Sequence, residues 1–273
     1  MRWKLVILAL FITLVARGQQ ERYSCIPFAE DPAFTPGEVL NFGVSYKWGA
    51  VNTEVAQAKL VLEETTLGRE RVLHSDVTAR TAPFFDVFFK MRENFQTWFT
   101  LDDHRPLAAV RDTYENGYTA TNNYKYDWEA GFIRADVAFN GEPSKHYDMP
   151  LQGKSNDIVS LIYALRSVDW NTCKIGEPIV VPFAIDDAIF QVKVTYQGQE
   201  DLKVRRIGKC RALRFSCSVV AGALFAGDQE LQVWFSDDGN HLPLAVMAPL
   251  KVGNMWAWLK SWDGLKSPFE ARY

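Results

Sequence analysis

The chain has 273 residues, 48% of them hydrophobic and 14% aromatic, enough to bury a full core in one large all-β domain or two smaller ones. Thirty basic residues against thirty-three acidic ones leave a net charge of -3 with no block of like charge. That balance excludes an electrostatic footprint for nucleic acid or for an anionic membrane surface.

Residues 1–18, MRWKLVILALFITLVARG, place Arg2 and Lys4 before an apolar run that ends at small residues. This is the layout of a secretory signal peptide cleaved before Gln19. The run falls short of the roughly 20 apolar residues a spanning helix needs, and Cys25 does not follow a lipoprotein-type motif. The expectation is a mature protein, periplasmic or secreted, with no transmembrane segment once the signal is removed.

Residues 19–36 form an irregular lead-in with prolines at 27, 32 and 36, and one β-rich domain is expected over residues 37–273. From residue 40 the apolar positions Leu40, Phe42, Val44, Tyr46 and Trp48 alternate with Asn41, Gly43, Ser45 and Lys47, as in a half-buried strand. Strands follow at 56–62 and 72–79. The segment Pro83-Phe84-Phe85-Asp86-Val87-Phe88-Phe89 breaks that rhythm and reads as a short helix or bulge. Strands resume at 94–100, 107–114 and 118–128, the last two joined by a tight turn at Asn116-Gly117, and again at 132–139.

Residues 154–170, KSNDIVSLIYALRSVDW, have the one clear helical period. Ile158, Leu161, Ile162, Leu165 and Val168 make an apolar stripe, and Ser155, Asn156 and Asp157 suit the start. Beyond it, strands are predicted at 179–185, 189–196, 202–207, 211–219, 230–235, 242–250 and 254–262. The fold class is therefore all-β with one central helix: an antiparallel meander forming a barrel, half-barrel or sandwich packed on that helix.

Four cysteines, Cys25, Cys173, Cys210 and Cys217, permit disulfides in an oxidising compartment. Cys210 and Cys217 within one extended strand stand about 23 Å apart and cannot pair with each other. Other pairings remain open, as does a role as buried apolar residues. The four histidines are scattered without ligand spacing, and the aspartate doublets at 102–103, 186–187 and 237–238 fall in turns, so no metal and no cofactor is expected. No nucleophile elbow, P-loop or dinucleotide fingerprint occurs, and no enzyme activity is expected. Tyr163 and Arg166 read as anchors reaching from helix to sheet, and Asp157 as a helix-start residue.

The remaining signal is aromatic. Phe84, Phe85, Phe88 and Phe89, with Phe95, Trp98 and Phe99 close behind, exceed what one strand face can use, and Trp256, Trp258 and Trp262 cluster near the end. The four phenylalanines of residues 84–89 are the candidate ligand-binding residues, at the mouth of a pocket between the helix and the concave sheet face.

The chain resembles the family known as domain of unknown function 3108. The resemblance rests on Gly37-Glu38 leading into Leu40, Phe42 and Tyr46; on Phe88-Phe89-Lys90-Met91-Arg92; on the helix motif at residues 157–166; and on Asp237-Asp238 followed by Leu242-Pro243-Leu244 and Val252-Gly253. It implies an exported β-rich protein and carries no activity with it. Two readings follow: a binding or carrier module for an apolar or lipid-like envelope ligand, or an interaction component that docks an envelope protein partner through a sheet edge or aromatic surface.

Overall fold

A computed structural model describes residues 31–220 and 230–273; the expected signal peptide, residues 19–30 of the lead-in and Cys25 lie outside the described residues. Among the described residues fourteen strands form one sheet. They are β1 (Val39–Trp48), β2 (Val51–Leu67), β3 (Glu70–Thr81), β4 (Met91–Phe99), β5 (Pro106–Glu115), β6 (Tyr118–Asp127), β7 (Phe132–Phe139), β8 (Lys145–Pro150), β9 (Pro178–Ile185), β10 (Ala188–Val204), β11 (Gly208–Val220), β12 (Leu231–Ser236), β13 (Pro243–Pro249) and β14 (Asn254–Asp263). Their spatial order is β8-β7-β6-β5-β4-β3-β2-β1-β14-β13-β12-β11-β10-β9, antiparallel at every step. Two meanders thus run outward from a central seam where the first and last strands pair, Val39 opposite Asp263 and Lys47 opposite Asn254. At one end of that seam the backbone of Gly264, at φ 63°, crosses directly over the Gly37 carbonyl, leaving no room for a Cβ.

The outer strands β8 and β9 do not pair, so the sheet is rolled but open. The chain between them spans the gap. Leu151 N–H donates to the Gly131 carbonyl; Asn156 N–H donates to Pro182 O at 2.9 Å, and Ala184 N–H donates to Asn156 O at 2.7 Å. From there α1 (Ile158–Arg166) enters the roll and packs against β4 and β9.

The helix is nine residues long, shorter than the 154–170 segment that carries the helical period, and it starts at Asp157 as read from the sequence. Ser155 and Asn156 are held extended by the bridge to β9, so Asp157 starts the helix. Its carboxylate accepts from the backbone N–H groups of Val159 and Ser160, and Ser160 Oγ accepts from Asp157 N–H at 2.8 Å, a reciprocal capping box. After Ser167 the chain turns into a short 3-10 turn, Trp170–Thr172, because Asp169 accepts from Asn171 N–H instead of continuing the helix. The apolar stripe is only half the story, since Val159, Ser160, Tyr163 and Arg166 are buried as deeply as Leu165 and Val168. Ile158, Leu161 and Ile162 of that stripe are only partly buried, so the more open face of the helix is the one the stripe predicted for the core.

Three further departures from the sequence reading have local causes. β8 was not predicted: it is the polar edge strand KHYDMP, with only Met149 buried, so it lacks the apolar alternation of its neighbours. Residues 188–204 form one long strand rather than two, because Gly198, at φ 103°, makes a bulge instead of a turn and pairing with β11 continues on both sides. Residues 31–36 are irregular but anchored. Phe34 is buried with its ring 4.8 Å from Tyr163 and 6.4 Å from Phe99.

Candidate functional site

The inside of the roll is filled by side chains. Toward the C-terminal end of α1, Leu165, Val168 and Trp170 pack on Val181, Val194, Tyr196, Phe215 and Phe235. Deeper in, the Arg166 guanidinium, fully buried, donates to both oxygens of buried Glu38 at 2.6 and 2.7 Å and to the carbonyls of Ala33 and Asn240. Its plane also lies over the Phe34 and Tyr163 rings. Tyr163 OH and Ser75 Oγ share a hydrogen bond of 3.0 Å. The anchoring role read for Tyr163 and Arg166 is the one the structure gives them, and Thr97 Oγ1 adds a 2.7 Å bond to Asp157.

A second buried pair closes the other side. The β9–β10 turn pushes Asp186, at φ 53°, against the concave face of β5 and β6. There it accepts from Arg111 Nη1 at 2.6 Å and Asn122 Nδ2 at 3.0 Å, while Tyr124 OH donates to its carbonyl. Between this plug and the helix is a cavity of about 10 Å³, bordered by Phe95, Ala109, Arg111, Tyr124, Asp157 and Ile158. It is no larger than one water needs, so this cavity has no room for a lipid. Phe84, Phe85, Phe88 and Phe89 border neither this cavity nor the two larger hollows elsewhere on the roll, of about 130 and 450 Å³.

Near the plug, Glu93 accepts from Thr113 Oγ1 at 2.6 Å through one oxygen while its other oxygen has no partner. Burial pushes the Glu93 carboxyl up to about 7. Glu115 and Asp112 add to that rise, while Arg111 and the Thr113 hydroxyl oppose it. Burial lifts Glu115 to about 7 as well. A carboxyl whose folded pKa stands above its unfolded value binds more protons when folded. Its contribution to stability is therefore full below the unfolded value and is lost as pH rises to about 7. Glu93→Gln should accordingly melt higher than the parent at about pH 8 and close to it at about pH 5. Thermal scans at both values check this, and an equal shift at both would mean that ionisation of Glu93 is not the cause.

The aromatic segment itself lies at one end of the sheet. It forms a 3-10 turn, Phe85–Val87, between β3 and β4, held by Asp86, whose carboxylate accepts from Arg92 Nη1 at 3.0 Å and from Thr81 Oγ1 at 2.5 Å. Hydrogen bonding from Arg92 and then Thr81 holds the Asp86 carboxyl down at about 2. This clamp fixes a short turn whose outer residues face water: Phe84 is 73%, Val87 85% and Phe88 71% exposed, whereas Phe85 and Phe89 are half-buried. The rim continues along the neighbouring strands. The β1–β2 turn presents Trp48 at 59% exposure, and the β13–β14 turn presents Val252 at 54%. These two turns touch, because Tyr46 OH donates to Val252 O at 3.0 Å. Lys47, Lys90 and Lys251 flank the aromatics and are exposed. Sequence periodicity identified the phenylalanines but could not join them to Trp48 and Val252, which come from turns some 35 and 165 residues away in the chain.

Among the described residues Cys173, Cys210 and Cys217 are free thiols, and burial pushes Cys217 up to about 12, away from thiolate chemistry. No group of three or more metal-ligating side chains occurs among the described residues, and no helix there is long and apolar enough to cross a membrane.

One antiparallel sheet rolled around a helix and open along one side defines a β-barrel-like protein. A solved structure agrees: the β-barrel-like protein of domain of unknown function DUF1849 from Brucella abortus superposes with a TM-score of 0.55 at 10% identity, over 89% of this chain and 100% of that one. A protein proposed to be exported, with a YmcC-like fold, from Bacteroides fragilis overlaps 88% of this chain and 100% of its own at 8% identity, with a TM-score of 0.34. No curated protein matches the sequence. Residues 41–257 match the family described as "Protein of unknown function (DUF3108)", and the chain belongs to that family.

Proposed function

We propose that this is an exported envelope protein that binds lipid at its surface, seating the aromatic rim in an apolar layer rather than enclosing a ligand. The observation that supports this reading is the gathering of Trp48, Phe84, Val87, Phe88 and Val252, all more than half exposed, at one end of a roll whose cavity between helix and sheet holds no more than a water. Isolated exposed apolar residues are ordinary, but several large ones presented by turns at the same end of one sheet mark an interaction surface. Exposed rings beside lysines whose stems can lie on apolar matter while their heads reach water are the composition of an interfacial contact. Each ring removed from water contributes about 1.5–3 kcal/mol.

The test is co-sedimentation of the purified mature protein with vesicles of phosphatidylethanolamine and phosphatidylglycerol. The double substitution Phe84→Ser and Phe88→Ser is expected to reduce vesicle binding by about tenfold or more while leaving the melting temperature in place. If the parent protein binds no vesicles, the reading fails, and a protein partner docking on the same rim becomes the better account of its exposure.

A further inference from the structure

The longest hairpin in the fold, β10–β11, does not end at the sheet it belongs to. Its distal half carries Leu202, Val204 and Ile207 into a core shared with β1, β2 and β14. Glu200 there accepts from the Trp234 indole at 2.5 Å. The hairpin tip therefore lies over the seam between β1 and β14, and beneath it is a hollow of about 130 Å³. Lys203, Arg205, Arg206 and Lys260 surround this hollow; Gly43 and Trp258 contribute to its floor, and Glu54 is its one acid.

We propose that this hollow is a binding site for a phosphate group. Four cations and one carboxylate leave an excess of three positive charges around a single small space. Glu54 is already engaged, accepting from Lys260 Nζ at 2.7 Å. The side chains of Lys203, Arg205 and Arg206 make no hydrogen bond or ion pair among the described residues, although against burial the charge of Arg206 helps Lys260 to lower the Glu54 carboxyl, whereas nearby arginines are partnered, Arg214 with Glu200 and Arg211 with Asp237. Crowding like charges without a counter-ion is unfavourable in the free protein, and a doubly charged oxyanion relieves it. Guanidinium forks fit tetrahedral oxygens, and an ammonium adds charge without demanding one geometry.

Two backbone features support the assignment independently of charge. Arg206 has φ 71° in the turn closed by Ile207 N–H to Val204 O, at the position where a turn of this kind favours Gly or Asn. A bulky cation held in a left-handed conformation, where glycine would sit without strain, points to a use for its side chain. Beneath it, a Cβ on Gly43 would come within 2.6 Å of Glu54 Oε2 and 2.9 Å of Lys260 Cδ, so the missing side chain lets the Glu54–Lys260 pair lie flat and keeps the hollow open.

The site is separate from the aromatic rim, and its test is separate too. Inorganic phosphate is titrated into the mature protein while the indole ¹⁵N–¹H resonance of Trp258, assigned with Trp258→Phe, is followed by NMR. Phosphate is expected to shift that signal saturably, and added sodium chloride to weaken the effect. Arg205→Ser combined with Arg206→Gly should lower the affinity by about tenfold or more. Because glycine suits the φ of that turn, this variant is expected to melt no lower than the parent. Sedimentation with vesicles containing phosphatidic acid then separates the sources. Extra binding over phosphatidylcholine that is lost in the arginine variant assigns the site to a lipid headgroup; a phosphate response without that extra binding assigns it to a soluble phosphorylated compound. Phe84→Ser with Phe88→Ser should leave the phosphate titration unchanged, so loss of the rim function and loss of this site are distinguishable. A flat titration, or one unaltered by the arginine substitutions, overturns the proposal.

Discussion

Arg166→Met is expected to destabilise the fold by about 3–5 kcal/mol, because it leaves the Glu38 carboxylate buried without its counter-charge. Both partners are almost completely inaccessible, at 0% and 1% side-chain exposure, so solvent cannot replace the lost bonds. The carbonyls of Ala33 and Asn240 lose their guanidinium donor at the same time, which ties the loss to the lead-in and to the β12–β13 turn as well as to β1. The double substitution Arg166→Met with Glu38→Leu removes both charges and should recover much of the deficit, since apolar replacements of buried pairs are often neutral or better. Urea titrations of the parent, both single variants and the double variant measure this as a coupling energy. A loss below about 1 kcal/mol in the single variant would mean that the pair does not hold the helix in the roll.

Phe215→Ala should cost about 3–5 kcal/mol, the range for emptying a buried aromatic site. Phe215 on β11 is wholly buried, with ring centroids 4.3 Å from Trp170, 5.3 Å from Tyr196 and 5.4 Å from Phe235, so it joins the chain after the helix to three strands. Phe88→Ala is the matching control. Its ring is exposed at the rim, and the expected change stays within about 0.5 kcal/mol. Urea titration of the two variants compares them directly. A similar loss for both would place Phe88 in the core and remove the basis for surface binding.

How much of this was legible depended on where each signal was stored. Strands such as β6 announced themselves because Ala120, Asn122, Tyr124 and Tyr126 face inward and Thr121, Asn123 and Lys125 outward, a local period of two. The Asn116-Gly117 turn was equally local, with both residues at positive φ as the sequence required. Edge strand β8 was hidden because protection of an edge replaces apolar residues with Lys145, His146 and Asp148. α1 is shorter than its periodic segment, and one local reason at its start is that Asn156 answers to a partner strand some 25 residues further on. The two buried ion pairs join residues 128 and 75 positions apart, and no spacing rule reaches that far. Whole-chain charge is silent on local gatherings. A net value of -3 conceals four cations gathered around one hollow and three lysines along the rim, because composition averages what folding concentrates.

The pairing of β1 with β14 also sets the molecule's mechanics. Val39 and Asp263 lie opposite each other, so the chain enters β1 and leaves β14 at the same end of the seam. A pull on the two chain ends would first strip the segment that Arg211 and Lys209 hold through Ala271 and Tyr273. It would then open the β1–β14 ladder one pair at a time, in the manner of a zip, rather than shearing all its hydrogen bonds together. Each step breaks only bonds worth about 0.5–1.5 kcal/mol net. The seam is therefore the line of least resistance to force. A tethered molecule under load would open there first, its two meanders staying joined through α1 and through the core under the β10–β11 hairpin.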